Sequence, residues 1–139
     1  MLKKLFIILM TTLSFVNLTH AADNANSIEK AILADINQYR QQHRLPPLQM
    51  NDHMVREARQ HSADMAKHNI PFGHDHFMSR VKRLHKQIKG SGAGAENVAY
   101  NYKDAHDVVK NWLKSPGHKR NIDGHYNLTG IGIAYDKNG

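Results

Sequence analysis

The chain has 139 residues, no cysteine, a formal charge of +7 with histidine neutral, and 40% hydrophobic residues. That length holds one domain with a modest core and is too short for two, and the absence of cysteine excludes a disulfide framework and thiol catalysis. The positive charge favours acidic surfaces such as phospholipid headgroups or anionic envelope polymers, but it is scattered, densest at Lys82, Arg83, Lys86 and Lys89 and next at Lys119-Arg120. Solvated helix faces explain both groups equally well, and no nucleic-acid partner is expected.

Lys3 and Lys4 precede an apolar run from Leu5 to Leu18, and Thr19-His20-Ala21-Ala22 follows. These are the parts of a secretory signal, with cleavage expected after Ala21: residues 1–21 form the signal and 22–139 the domain. An uncleaved anchor helix is the competing reading, yet Asn17, Thr19 and His20 interrupt the run short of the roughly 20 residues that a bilayer span needs. Nothing later in the chain reads as a span. Cleavage removes two lysines, leaves a formal charge of +5, and delivers the domain to the periplasm or the medium.

The first helix of the domain is predicted from Asn26 or Ser27, either of which can cap it, with Ile28, Ile32, Ile36 and Tyr39 on one face. Leu45-Pro46-Pro47 ends it. A second helix begins after Asn51 or Asp52, with Met54, Val55, Ala58, Ser62 and Met65 inward, and closes at Asn69, Pro71 and Gly73. Phe77, Val81, Leu84 and Ile88 define the apolar edge of a third, and Gly90-Ser91-Gly92-Ala93-Gly94 makes a loop. A further helix runs from about Lys103 to Leu113 and buries Val108, Val109 and Trp112, and Ser115-Pro116 opens another turn. Gly130 to Tyr135 is the one convincing strand, leading into an Asp136-Lys137-Asn138-Gly139 turn.

Eleven histidines invite a metal or acid–base reading, but most belong to the surface. His61 and His68 stand seven apart on the second helix, about 10 Å along its axis, too far to share an ion. No His-Glu-x-x-His, Gly-x-Ser-x-Gly, phosphate-loop or calcium-loop pattern occurs.

Three segments are more specific together: Phe72-Gly73-His74-Asp75-His76, Gly94-Ala95-Glu96-Asn97-Val98-Ala99 and Trp112-Leu113-Lys114-Ser115-Pro116-Gly117-His118-Lys119-Arg120-Asn121-Ile122. In this order, and followed by Gly130-Ile131-Gly132-Ile133-Ala134, they resemble the CAP superfamily, also called the SCP or pathogenesis-related-1 domain, in its bacterial secreted branch. The resemblance covers about Ser27 to Tyr135. It implies an α+β fold, a three-layer α-β-α sandwich around a small antiparallel sheet, with the family's last strand missing after Asn138-Gly139. It also implies a cleft of two histidines and two acids: His74, Glu96, His118 and, where the family carries glutamate, Asp107.

Two neutral imidazoles are good zinc ligands, so His74 and His118 are the candidate metal pair, with Glu96 and Asp107 orienting the rings. Without metal the same groups form acid–histidine pairs, which either tie loops to the sandwich or make occupancy depend on pH. His76 joins His74 if the segment is extended and points away if it is helical. Asn97 and Asn121 read as supporting residues, and Trp112 as a core anchor.

Three function classes fit. The resemblance favours a non-enzymatic extracellular binding module for a lipid, sterol or envelope component. The alternatives are a metal-dependent hydrolase, with zinc on His74 and His118 and Glu96 as general base, and an interaction protein acting through its basic surface.

Overall fold

The computed structural model describes residues 13–138. Five helices and two short strands follow in the order α1 (Leu13–Gln42), β1 (Gln49–Met50), α2 (Asp52–Ala66), α3 (Phe77–Gln87), α4 (Ala105–Lys114), α5 (Pro116–Ile122) and β2 (Leu128–Thr129). Most of the expected export signal lies outside the described residues, and the expected cleavage bond, Ala21–Ala22, falls in the backbone of α1.

Helix α1 begins earlier than expected. It runs straight through Asn26 and Ser27, so neither caps it. No proline or glycine stands between Leu13 and Ser27, and alanines at 21, 22 and 25 favour propagation over a break. Its end is a turn with Arg44 in the left-handed region (φ 58) and the Leu45 N–H donating back to the Arg40 carbonyl at 2.9 Å. The other starts agree with expectation. The Asn51 side chain accepts from the N–H groups of His53 and Met54, the Asp104 side chain accepts from that of Asp107, and Pro116 opens α5.

The sheet differs from the expected antiparallel one. β1 and β2 pair in parallel, Gln49 opposite Leu128 and Met50 opposite Thr129. The pairing stops there because the chain after Met50 turns at Asn51 into α2, so the segment after Thr129 loses its partner. Gly130–Tyr135, expected as a strand, therefore runs without a ladder neighbour among the described residues.

That segment nevertheless forms the middle layer of a three-layer α-β-α arrangement, and it alternates as a strand does. Ile131 and Ile133 pack on a core of Ile32 and Ile36 from α1, Ala105 and Val109 from α4 and Ile122 from α5. Gly130 and Gly132 face the other way, against the backbone of α2. A Cβ at Gly130 would stand 2.1 Å from the Met54 carbonyl carbon, and one at Gly132 2.1 Å from the Arg59 nitrogen. Only glycine lets helix and chain come this close. Side chains supply hydrogen bonds that a second ladder would otherwise make: Ser62 Oγ donates to the Gly132 carbonyl at 2.8 Å, and the Ile133 N–H donates to Glu29 Oε1 at 3.1 Å.

Two charged residues of α1 are fully enclosed. Glu29 is 2% exposed and accepts a two-pronged bond from Arg59 of α2, at 2.9 and 2.5 Å, which ties the outer layers together across the middle one. Arg40 is 0% exposed and donates to four backbone carbonyls, those of Pro46, Ile122, Gly124 and Tyr126, at 2.6–3.1 Å. It thereby holds the loop before β1 against the loop before β2, which sets the parallel register. Burial lowers its pKa, and the nearby Asp123 opposes that effect.

Candidate functional site

Glu96 lies in the irregular stretch between α3 and α4, and its position is fixed from two sides. On its backbone side, Asn121 Nδ2 of α5 donates to the Glu96 carbonyl at 3.2 Å and to Asn97 Oδ1 at 2.8 Å. Asn97 Nδ2 donates to the His118 carbonyl at 3.1 Å, and the indole N–H of Trp112 reaches the Val98 carbonyl at 3.3 Å. Two asparagines and a tryptophan thus pin residues 96–98 to α4 and α5.

On its side-chain side, Glu96 meets Arg80 of α3. Arg80 Nε donates to Oε2 at 3.0 Å and Nη2 to Oε1 at 2.8 Å, a fork that fits a carboxylate on both oxygens. The third nitrogen of Arg80 donates to the Asp75 carbonyl at 2.6 Å, holding the loop before α3 in the same cluster. His74, half exposed, donates from Nδ1 to Glu96 Oε1 at 2.9 Å, which leaves Nε2 as the free nitrogen of the neutral ring. His61 of α2, 5% exposed, stands 3.8 Å from the same oxygen and donates through Nε2 to the Gly73 carbonyl at 2.8 Å.

The structure therefore brings His74 and Glu96 together and adds Arg80 and His61, which sequence reasoning missed. Arg80 lies three residues after Phe77 and four before Leu84, so the spacing that defined the apolar edge of α3 also placed it inward. His61 stands likewise between Ala58 and Met65. Both also wall a cleft of about 290 Å³ between α2 and α3, with Glu57, Asp64, His76 and Ser79 among its other lining residues. His76 takes a left-handed backbone (φ 60) at the start of α3 and faces this cleft rather than joining His74.

His118 and Asp107 form no hydrogen bond or ion pair with His74 or Glu96 among the described residues. His118 Nδ1 contacts Ser115 Oγ at 2.9 Å, and the ring lies 6.3 Å from that of Trp112. The Asp107 carboxylate accepts from Asn111 Nδ2, one turn further along α4, at 3.1 Å. No three His, Cys, Asp or Glu side chains among the described residues are grouped so as to hold a metal ion. His74 and His118 each keep one ring nitrogen for a ligand, but a zinc centre needs at least three protein ligands, so this donor set does not fit one. Beside His74, Phe72 and Tyr100 are 50% and 71% exposed, and their rings meet edge to face with centroids 4.8 Å apart.

A three-layer α+β fold is the architecture expected above. The family model for the cysteine-rich secretory protein (CAP) family matches residues 33–139, and the chain belongs to that family, although it contains no cysteine. It is similar to the solved structure of an extracellular protein containing a SCP domain from Bacillus anthracis str. Ames, with a TM-score of 0.71, 28% identity, and 79% of this chain and 38% of that one covered. Among curated proteins of Bacillus subtilis (strain 168) it is 32% identical to the uncharacterized protein YkwD, over 87% of this chain and 47% of YkwD. It is also 32% identical to the uncharacterized membrane protein YlbC, over 76% of this chain and 31% of YlbC. The chain thus spans less than half the length of these relatives.

Proposed function

We propose that this CAP domain is an exported, non-enzymatic binding module, which takes a lipid, sterol or envelope ligand at the aromatic rim beside His74. The observation that carries the reading is the state of Glu96. Both of its oxygens are held by the Arg80 fork and one also by His74, so three of the roughly four lone-pair sites of this carboxylate are taken up in positioning loops. A carboxylate that drives hydrolysis needs a lone pair aimed at water or substrate. His74 and His118 by themselves also fall one ligand short of a catalytic zinc site. The exposed Phe72–Tyr100 pair offers apolar surface with a polar edge, the composition of a small-ligand rim.

Support for export comes from two sources. The first 21 residues have the layout of a secretory signal, and the B. anthracis protein of similar structure is described as extracellular. Among the described residues no helix is long and apolar enough to cross a membrane.

The test has two arms. Peptide and ester substrates with added zinc should show no turnover above background; turnover abolished by Glu96→Gln would make Glu96 a catalytic base and end the binding-module reading. Titration with sterol or lipid in detergent should give saturable binding that Phe72→Ala with Tyr100→Ala weakens by about tenfold, from the area of two exposed rings. Unchanged binding in that variant would move the ligand elsewhere.

A further inference from the structure

Helix α3 sorts its basic residues by type. Its two arginines point at carboxylates: Arg80 is buried on Glu96, and Arg83 forks onto Glu57 of α2 at 2.8 and 2.7 Å. Its lysines do not. Lys82 and Lys86, with Lys89 just past the helix end, are exposed and make no ion pair or side-chain hydrogen bond among the described residues. Met78, Lys82, His85 and Lys86 follow at steps of four, three and one, a single stripe on the side opposite Phe77, Arg80, Val81 and Leu84. Met78, in the first turn, is 71% exposed. Helix-dipole complementarity accounts for Lys86 in the last turn, but not for Lys82 in the middle or Met78 at the start.

A stripe of unneutralised lysines headed by a large exposed apolar side chain offers charge to anionic headgroups and one anchor for the layer beneath them. We propose that this face of α3 docks the domain on an anionic phospholipid bilayer, Lys82, Lys86 and Lys89 against the headgroup phosphates and Met78 dipping below them. Soluble anionic polymers would be drawn by the lysines alone and would leave Met78 without a role, so Met78 separates the two sources of phosphate. The proposal goes beyond the binding-module reading and concerns a different surface.

The test is sedimentation of the full chain with phosphatidylcholine vesicles, with and without a third of phosphatidylglycerol, at low salt. Residues 1–21 are common to every variant, so differences between variants report on α3. Lys82→Gln with Lys86→Gln and Lys89→Gln should lower partitioning to the anionic vesicles on the order of 100-fold, from about tenfold or less per lysine. Binding to neutral vesicles should stay unchanged. Met78→Ala should weaken the anionic-vesicle interaction by about fivefold and leave binding to long-chain polyphosphate in solution unaltered. A triple variant that binds anionic vesicles like the parent overturns the proposal. So does a Met78→Ala variant with unchanged vesicle binding while the triple variant loses vesicles and polyphosphate equally, since the face then reads anionic polymers. Sterol binding in detergent should be indifferent to all four substitutions, so failure here and failure of the rim at Phe72 and Tyr100 are distinguishable.

Discussion

The α1–α4–α5 side of the molecule and the α2–α3 side are held together by different forces. On the first, isoleucines and valines from three helices close over one another: Ile32, Ile36, Val109 and Ile122 are each 3–6% exposed, worth about 1.5–3 kcal/mol apiece on burial. On the second, α3 buries only Arg80, and α2 only Val55 and His61. There the junctions are charge-assisted forks, Arg80 to Glu96 and Arg83 to Glu57, and a third, Arg59 to Glu29, ties α2 to α1 across the middle layer. Apolar burial neither titrates nor is screened by salt, whereas ion pairs open to solvent both titrate and are screened. The candidate cluster and the open cleft both lie on the charge-bonded side, so the local openings that ligand entry requires are least costly there.

Arg40 is the sharpest test of this contrast, because it is a cation inside the apolar side. Its four carbonyl partners join both strand-leading loops, and at least the Ile122 carbonyl is sealed from water. Arg40→Met should cost about 3 kcal/mol or more, the penalty for interior carbonyls left without donors. Arg83→Met, at a side chain that is itself 51% exposed, should cost under about 1 kcal/mol. Urea melts of the two variants measure this directly, and equal costs would break the distinction between the sides. Next in size is Gly132→Ala. Its Cβ would meet the Arg59 nitrogen and the Ala58 carbonyl carbon at 2.1 and 2.3 Å, and backbone on backbone has no rotamer to yield. We expect a loss of about 2–3 kcal/mol. Because α2 would lift off the middle layer, the Ser62–Gly132 bond should fail first, with hydrogen-exchange protection falling in α2 before α4.

Much of this was legible in the sequence, and what was not has a common cause. Local rules identified the Asn51 cap, the Ser115-Pro116 start and the Phe77–Val81–Leu84–Ile88 edge, because each depends on residues within a turn or two. The motifs brought His74 and Glu96 to one place. The start of α1 was misplaced because a capable cap does not stop a helix that nothing upstream interrupts. The sheet direction was misjudged because register here is set by Arg40, which reaches loops 82 to 86 residues away. Glu29, Arg40, His61 and Arg80 share the remaining miss. Charge and histidine content were read as marks of the surface, although Arg80 and His61 each stand at core spacing from apolar neighbours. The free lysines on α3 fit the opposite pattern, since none shares the apolar edge.

The smallest predicted effect concerns acid. The Arg83 hydrogen bond, aided by the charge of Arg83 and against some desolvation, holds the Glu57 carboxyl below its ordinary value of 4.5. The sign follows from linkage. Above about pH 4.5 the carboxylate is ionised in folded and unfolded chains alike, and the fork contributes fully. As the pH falls below that value the unfolded chain takes up the proton first, and the contribution is lost as pH passes through the depressed folded value. Asp123, lowered chiefly by its hydrogen bond from Lys119, follows the same sign at the end of α5, but the neighbouring core of Ile122 and Val109 carries no titrating group. Hydrogen exchange corrected for intrinsic rates should therefore show α3 losing protection as the pH falls below about 4.5, by about two- to fivefold for a pair with a half-exposed arginine, while the middle of α1 keeps its protection. Salt near neutral pH should move α3 in the same direction by less. Uniform loss across both sides would mean that the fork between α2 and α3 carries no local stability, and that the apolar side alone holds the fold.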